Sequence, residues 1–492
     1  VRLFGIETEY GLWIEGRTAG DQIEDAAAII SSLPFTAFAG WDYAHESPRA
    51  DLRGFQVDRL TPDPEDAQWD AGRPPGYERN FLTNRVLPNG GRLYNDHGHP
   101  EYATPECAHI TDLVAYDNAG ERILLSAVQA YASQTGHKVR LYKNNTDFHG
   151  ASYGTHESYL VPRKVDVALL ISRLVPFLLA RVIFVGAGKV GSEVGKTCRY
   201  QLSQRLEFCH EVASVETLYR RPIFNTRDEP HANPREWMRL HIISGDANRS
   251  QWATAMKVGM MRLALDLVEI GEAPLFALRD PVKTAQEISK DETFRWEIPL
   301  EGNSWTTAPE IMEAFRASAE RFFQGRDAET DWILQEWRQA LEDIAQNPML
   351  LSDRADWAAK RAILDEASTQ LGKWEESRMQ ALDLEYHNIN PKESLYGALV
   401  QMKRIRLLVH ESRITDAMTT PPADTRAMIR GSAVAHFKDK IRTVGWRRLI
   451  ITADGEDHMV ELPVTICDRS IINSAPTVEE WVQRVKSLEN TG

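Results

Sequence analysis

Between residues 92 and 96 an arginine, a tyrosine and an aspartate alternate with Leu93 and Asn95, and no other stretch narrows the possible folds as much. In an extended chain successive side chains point to opposite faces, so Arg92, Tyr94 and Asp96 share one face of a strand. A guanidinium suited to phosphate, a phenol and a carboxylate set side by side are costly to bury without a ligand. The strand therefore belongs in a sheet with one face kept for a bound polar group. Pro100 then turns the chain, and Glu101 offers a further hard oxygen ligand. An aspartate beside a metal-bound nucleotide can act as general base, or as nucleophile on an acyl or phosphoryl centre, and Asp96 is placed for either role.

Residues 2–14 read as another strand, broken by a glycine, and carry Glu7 and Glu9. Two residues apart, these carboxylates project together, and a divalent cation such as Mg²⁺ or Mn²⁺ relieves their repulsion. The flanking Phe4, Ile6 and Tyr10 do not settle which face is buried. Further on, His156 and Glu157 lie on opposite faces if extended, so one of them reaches a site. In the segment Asn225–His231, Arg227 is suited to clamp a phosphate, and His241 shortly after it to complete a metal shell.

Helical spacing is read over Asp21–Ser32, Asp117–Ser133, Val165–Leu179, Asp331–Gln346 and Trp357–Leu371. The apolar run Val167–Val185 is interrupted by Arg173, Pro176 and Arg181, which argues for a buried helix leading into a strand and against a membrane span. Gly186-Ala187-Gly188-Lys189-Val190-Gly191 then matches GxGxxG after an apolar strand. Residues 192–197 are polar and include another glycine, Gly195, so a glycine turn near a cleft is the better reading than a dinucleotide site. Residues 41–80 are charged and carry Pro62, Pro64, Pro74 and Pro75, the composition of a long, mobile surface insertion. Thr419-Thr420-Pro421-Pro422 is a linker signal. It divides a catalytic domain over 1–420 from a small α+β unit over 421–492, with strands expected at 447–453 and 458–463.

A net charge of −14 argues against nucleic acid as the partner. The four cysteines form no CxxC pair, which points away from zinc and disulfides and toward a reducing cytoplasm.

Taken together, Gly5-Ile6-Glu7-Thr8-Glu9-Tyr10-Gly11, Arg92–Asp96 and His99-Pro100-Glu101-Tyr102 resemble the Pup ligase and Pup deamidase/depupylase family. The likeness continues through Lys143–Asp147, Ser152–Glu157, Ser203-Gln204-Arg205 and Asn225–His231, and resumes at Thr425-Arg426 and Gly445-Trp446. It implies an α+β, glutamine-synthetase-like fold: a curved antiparallel sheet backed by helices, with a small C-terminal domain. By position in the motifs it implies Glu7, Tyr94 and Glu101 as magnesium ligands, with Glu9, His156 and His241 as further members of the shell. Arg92, Thr104 and Trp446 are implied nucleotide contacts, joined by Arg205 and Arg227, and Asp96 is the implied catalytic carboxylate. The implied cofactors are Mg²⁺ and ATP, held as ATP or as ADP plus phosphate.

The family has two chemistries. The ligase joins the C-terminal Glu of the protein tag Pup to a lysine, consuming ATP. The deamidase converts a C-terminal Gln of the tag to Glu and cuts the tag–lysine isopeptide bond. Trp41-Asp42-Tyr43, Glu46-Ser47-Pro48, Asp51 and Arg53-Gly54-Phe55 match the loop found in the deamidase, so the expected partners are Pup, or a Pup-like tag, and tagged proteins. The ligase reaction and a non-catalytic nucleotide-binding adaptor are the alternatives. Gly91 and Asn95 depart from the family's usual Ala and Val or Leu, which suggests a distant member.

Overall fold

The computed structural model describes residues 2–43, 46–58, 60, 83–150, 152–217, 220–464 and 475–489. Its centre is an eight-stranded sheet with the spatial order Glu211–Ser214, Pro222–Asn225, Trp237–Ile242, Thr155–Pro162, Phe4–Glu9, His99–Ala103, Arg92–Asp96, Asn84–Val86. Neighbours pair antiparallel except at one edge, where Glu211–Ser214 and Pro222–Asn225 run parallel, so the sheet is mixed and not wholly antiparallel as expected.

Alternation decides which face is packed. Strand Thr155–Pro162 buries every second residue. Ile6, Tyr159, Val161, Leu240 and Ile242 pack with Val114, Phe177, Trp252 and Met256 in the main core. These partners lie on helices Ile110–Thr135, Val167–Ala180 and Gln251–Glu269. Leu93 and Tyr102 meet Ile123, Leu124 and Ala127 of the first of these helices in a second cluster. That helix passes so close that a Cβ on Gly120 would lie 2.2 Å from the Tyr102 ring, which leaves room only for glycine. Glu157 also points into this layer and forms a buried ion pair with Arg181.

The expected helices are present as Gln22–Ser31, Ile110–Thr135, Val167–Ala180, Ala328–Gln346 and Asp356–Leu371. After residue 180 the chain does not enter a strand: Val182–Val185 is a short helix, and the next strand is only Lys189–Val190. Four apolar residues bury equally well either way, so their pattern could not decide. The turn before Glu101 is made by His97 and Gly98, at φ 47° and 90°, and Pro100 lies inside the returning strand. Asn95, in place of the usual apolar residue, donates to the Ile23 carbonyl at 3.1 Å and accepts from Gly98 N at 3.0 Å, tying the first helix to that turn.

Toward the C-terminus, helix Ala427–Phe437, strands Ile441–Val444, Arg448–Ala453 and Glu456–Glu461, and helix Val478–Glu489 share a core of Leu449, Ile451, Val460 and Trp481, which Val86 of the main sheet joins. The described start of the insertion over 41–80 is docked and not a free surface loop. Asp42 N donates to Val444 O, Leu52 N to Thr226 O and Asp228 N to Ala50 O, at 2.8–2.9 Å. The buried Asp51 accepts from the Thr226 hydroxyl at 2.6 Å. The proline-rich part with Pro62, Pro64, Pro74 and Pro75 lies outside the described residues, as does Cys467. Among the described residues no helix is long and apolar enough to cross a membrane.

Candidate active site

Register carries the polar side chains to one face. Directly paired residues of antiparallel strands share a face. Tyr94 pairs with Glu101, and Glu101 with Glu9. Glu7 pairs with His156, and His241 with Ser158, two residues beyond it. Arg92, Asp96, His99 and Arg239 follow from the same registers. His156 is thus the member of the His156–Glu157 pair that reaches the site, while Glu157 serves the core.

The expected ligands fall into two neighbouring groups. In one, Glu7, His156 and His241 bring their ligand atoms within 4.8 Å of one another; in the other, Glu9, Asp96 and Glu101 do the same. Glu7 lies 3.5 Å from His156, 3.7 Å from His241 and 3.4 Å from Arg239. Burial works to raise the Glu7 pKa, but the two neighbouring histidines and the Arg239 charge outweigh it and hold Glu7 well below the usual range. Glu101 goes the other way. Burial, then repulsion from Asp96, Glu9 and Glu7, pushes its carboxyl well above the usual value, and burial likewise raises the Tyr94 phenol beside it. Carboxylates on one face driven apart in this way mark a functional site.

A divalent cation fits this set. Its charge would relieve the repulsion at Glu101, and both ring nitrogens of His241 are buried without a hydrogen-bond partner among the described residues. Burial, followed by the Arg239 charge, keeps His241 well below its ordinary pKa and therefore neutral, the form that ligates. Asp96 is the more open carboxylate, with 30% of its side chain exposed.

Beside Glu7 a cleft runs along the sheet, lined among others by Gly5, Thr104, Pro230, His231, Arg426 and Trp446. Trp446 lies nearly parallel to His231, 6.1 Å between ring centres, and meets Trp41 edge-on. Arg92 is not in the cleft wall. Its guanidinium lies 3.8 Å from the Tyr94 ring centre and 4.1 Å from that of Trp41, and donates twice to Asn84 Oδ1. Two more of the expected nucleotide contacts are likewise not brought to the cleft. Arg205 is buried and donates to the carbonyls of Ile243 and Tyr153, bracing the loop before His156; burial, then the Arg221 charge, pulls its pKa down to about 10. Arg227 pairs through its backbone with Asp51 and donates to the Thr217 hydroxyl at 3.2 Å, outside both carboxylate groups.

The sequence alone assigned no role to Arg239, to His231, to Tyr43, whose hydroxyl accepts from Arg92 at 3.2 Å, or to Gln22, whose amide lies 3.0 Å from the His99 ring. Arg239 sits two residues before His241, so the alternation that placed one placed the other. The others depend on contacts between distant segments and had no local signal.

Residues 2–450 match the family described as Pup-ligase protein. The chain is 39% identical over 478 residues to a depupylase of Acidothermus cellulolyticus, covering 94% of this chain and 93% of that protein. Among solved structures, the ligase PafA in complex with the prokaryotic ubiquitin-like protein Pup superposes with a TM-score of 0.78 at 28% identity, over 99% of this chain and 91% of that one. PafA in complex with ADP superposes at 0.72 with 31% identity, over 83% and 90%.

Proposed function

This chain belongs to the Pup-ligase protein family, and from that premise we propose that it is a Pup deamidase and depupylase: a nucleotide-dependent amidohydrolase acting on the γ-carbonyl at the end of a protein tag. The observation that carries the reading is Asp96, half-buried on the carboxylate face and grouped with Glu9 and Glu101. Similarity to a depupylase over 94% of the chain supports the hydrolytic branch, as do the docked residues 41–43 and 46–55, within the stretch that resembles the deamidase loop.

In this reading Glu7, Tyr94 and Glu101, with Glu9, His156 and His241, would hold Mg²⁺, and Thr104 and Trp446 in the cleft would hold the nucleotide, ATP or ADP plus phosphate. The cation, when bound, would supply positive charge that polarises the tag's carbonyl. Arg239 and Arg92 add fixed cationic charge beside the face. Asp96 then acts on the γ-carbonyl in one of two ways. It attacks the carbon directly, to be released by water, or it takes a proton from a water that attacks. In the first case a water protonates the departing nitrogen as the carbon–nitrogen bond breaks, and the hydroxide it leaves hydrolyses the anhydride; in the second the proton taken by Asp96 passes to that nitrogen. Either way the nitrogen leaves as ammonia or as a lysine amine.

A release assay on a fluorophore-tagged peptide ending in Gln tests the proposal, with turnover expected only when Mg²⁺ and a nucleotide are present. Conjugation of a Glu-ending tag to a lysine with stoichiometric ADP release would instead make the chain a ligase. Capture of the tag without turnover would make it an adaptor.

A further inference from the structure

Glu7 and Arg239 line the cleft together with His231 and Trp446, so part of its wall is charged and part presents flat rings. Gly5 pairs with Ser158, two positions along the strand from Glu7, and shares the polar face with no side chain to fill the space there. His231 and Trp446 lie 23° from parallel with 6.1 Å between ring centres. Elsewhere in the molecule His99 and Tyr153 stack at a similar 25° with only 4.5 Å between centres. The wider pair is oriented for stacking but stands open. Parting it by about 1–2 Å more would set a third flat ring at van der Waals distance from both.

We propose that His231 is a nucleotide-binding residue that stacks on the base from the side opposite Trp446; this rests on the reading of the cleft as the nucleotide's place. The charged part of the wall suits the phosphates, and a base is the flat, ring-bearing part of the same molecule.

Both rings are braced. The Arg430 guanidinium lies 4.7 Å from the Trp446 ring centre, and Trp41 packs against that ring edge-on. His231 is held at φ 52°, a left-handed backbone that side chains other than glycine's seldom adopt. Such a conformation persists only where its surroundings impose it, and it is found disproportionately at ligand sites. The surroundings here are explicit. Arg163 grips Asp228 through both carboxylate oxygens at 2.9 Å. The Glu229 carboxylate accepts from Ser47 N at 2.9 Å, and its carbonyl accepts from Arg239 Nε at 3.0 Å. Among the described residues the only ring that His231 meets is that of Trp446. The turn is thus tied down on its approach, and what it presents is one ring facing another across the cleft.

The test is nucleotide binding, read without turnover. His231→Asn is the informative variant, because asparagine tolerates the left-handed backbone and still hydrogen-bonds but has no ring. By calorimetry on the full chain with Mg²⁺, its Kd for ADP should rise about tenfold. Its Kd for inorganic pyrophosphate, which has no base, should stay within about twofold of the wild type, and thermal unfolding without ligand should be unchanged. His231→Gly, which relaxes the turn, should give the same pattern, so a folding defect in one variant does not mask the result. An unchanged Kd for ADP, or equal rises for ADP and pyrophosphate, would overturn the proposal. A wild-type chain that binds ADP yet leaves the Gln-ending peptide intact sinks the hydrolase reading alone, whereas one that binds no nucleotide sinks both.

Discussion

Trp41 meets Trp446 edge-on, with 5.0 Å between ring centres and 71° between planes. One ring opens the insertion and the other belongs to the C-terminal unit, and Trp446 lines the cleft proposed for the nucleotide. Trp41 also covers the Arg92 guanidinium. The described start of the insertion thus packs against a residue of the cleft wall.

Removing that support should weaken the nucleotide and not the chemistry. Edge-to-face and cation–π contacts of this kind contribute about 1 kcal/mol each. Trp41→Ala should therefore raise the nucleotide Kd roughly five- to thirtyfold by calorimetry, about 1–2 kcal/mol, and Trp446→Ala more. Equal Kd values for Trp41→Ala and the wild type would detach the insertion from the cleft.

Asp96→Asn keeps the shape and removes the charge. Cleavage should drop by about a thousandfold, while the nucleotide Kd stays within a factor of two or three. Full turnover by this variant would take Asp96 out of the mechanism.

Cation dependence should follow the two carboxylate groups. Chelation should abolish cleavage, and added Mg²⁺ should restore it. Glu7→Gln and Glu101→Gln should each raise the Mg²⁺ concentration for half-maximal activity by about 10–100-fold. A magnesium titration that is unmoved in both variants would show that these residues do not hold the ion.

Glu106 links the sheet to the C-terminal unit through Arg430 and Arg426. Burial works to raise its pKa, but those two cations overcome it and hold the carboxyl at about 2. The folded value is depressed, so the stabilisation is complete above the unfolded carboxylate value and is lost as pH falls from about 4.5 toward 2. It amounts to roughly 3 kcal/mol. Glu106→Gln should be less stable than the wild type at pH 7 in urea, and that gap should narrow steadily below pH 4.5.

Glu157 and Arg181 form a buried ion pair beneath His156. Leaving one charge without the other costs about 3–5 kcal/mol. Glu157→Gln should lower the denaturation midpoint accordingly, whereas a double replacement by apolar residues of similar volume should recover much of the loss.

The carboxylate face was legible because strand alternation is local. Arg92, Tyr94 and Asp96, like Glu7 and Glu9, sort themselves by parity alone, and His156 separates from Glu157 by the same rule. What parity cannot supply is which distant segment lies alongside. The docking of Asp51 on Thr226, the sandwich around Arg92 and the approach of Gln22 to His99 all join stretches with no shared pattern. Arg205 and Arg227 lie apart from the cleft for the same reason: the guanidinium of Arg205 donates to main-chain carbonyls and that of Arg227 to the Thr217 hydroxyl, partners that no local pattern announces. Val182–Val185 failed for want of length, since four apolar residues carry no period.

The cleft is walled by Gly5 near one end of the sequence and by Trp446 near the other. During synthesis the sheet can assemble while later residues are still inside the ribosome, but the cleft lacks the Trp446 ring until residue 446 has emerged. A growing chain therefore has no finished cleft before that point, however early its acidic face has formed.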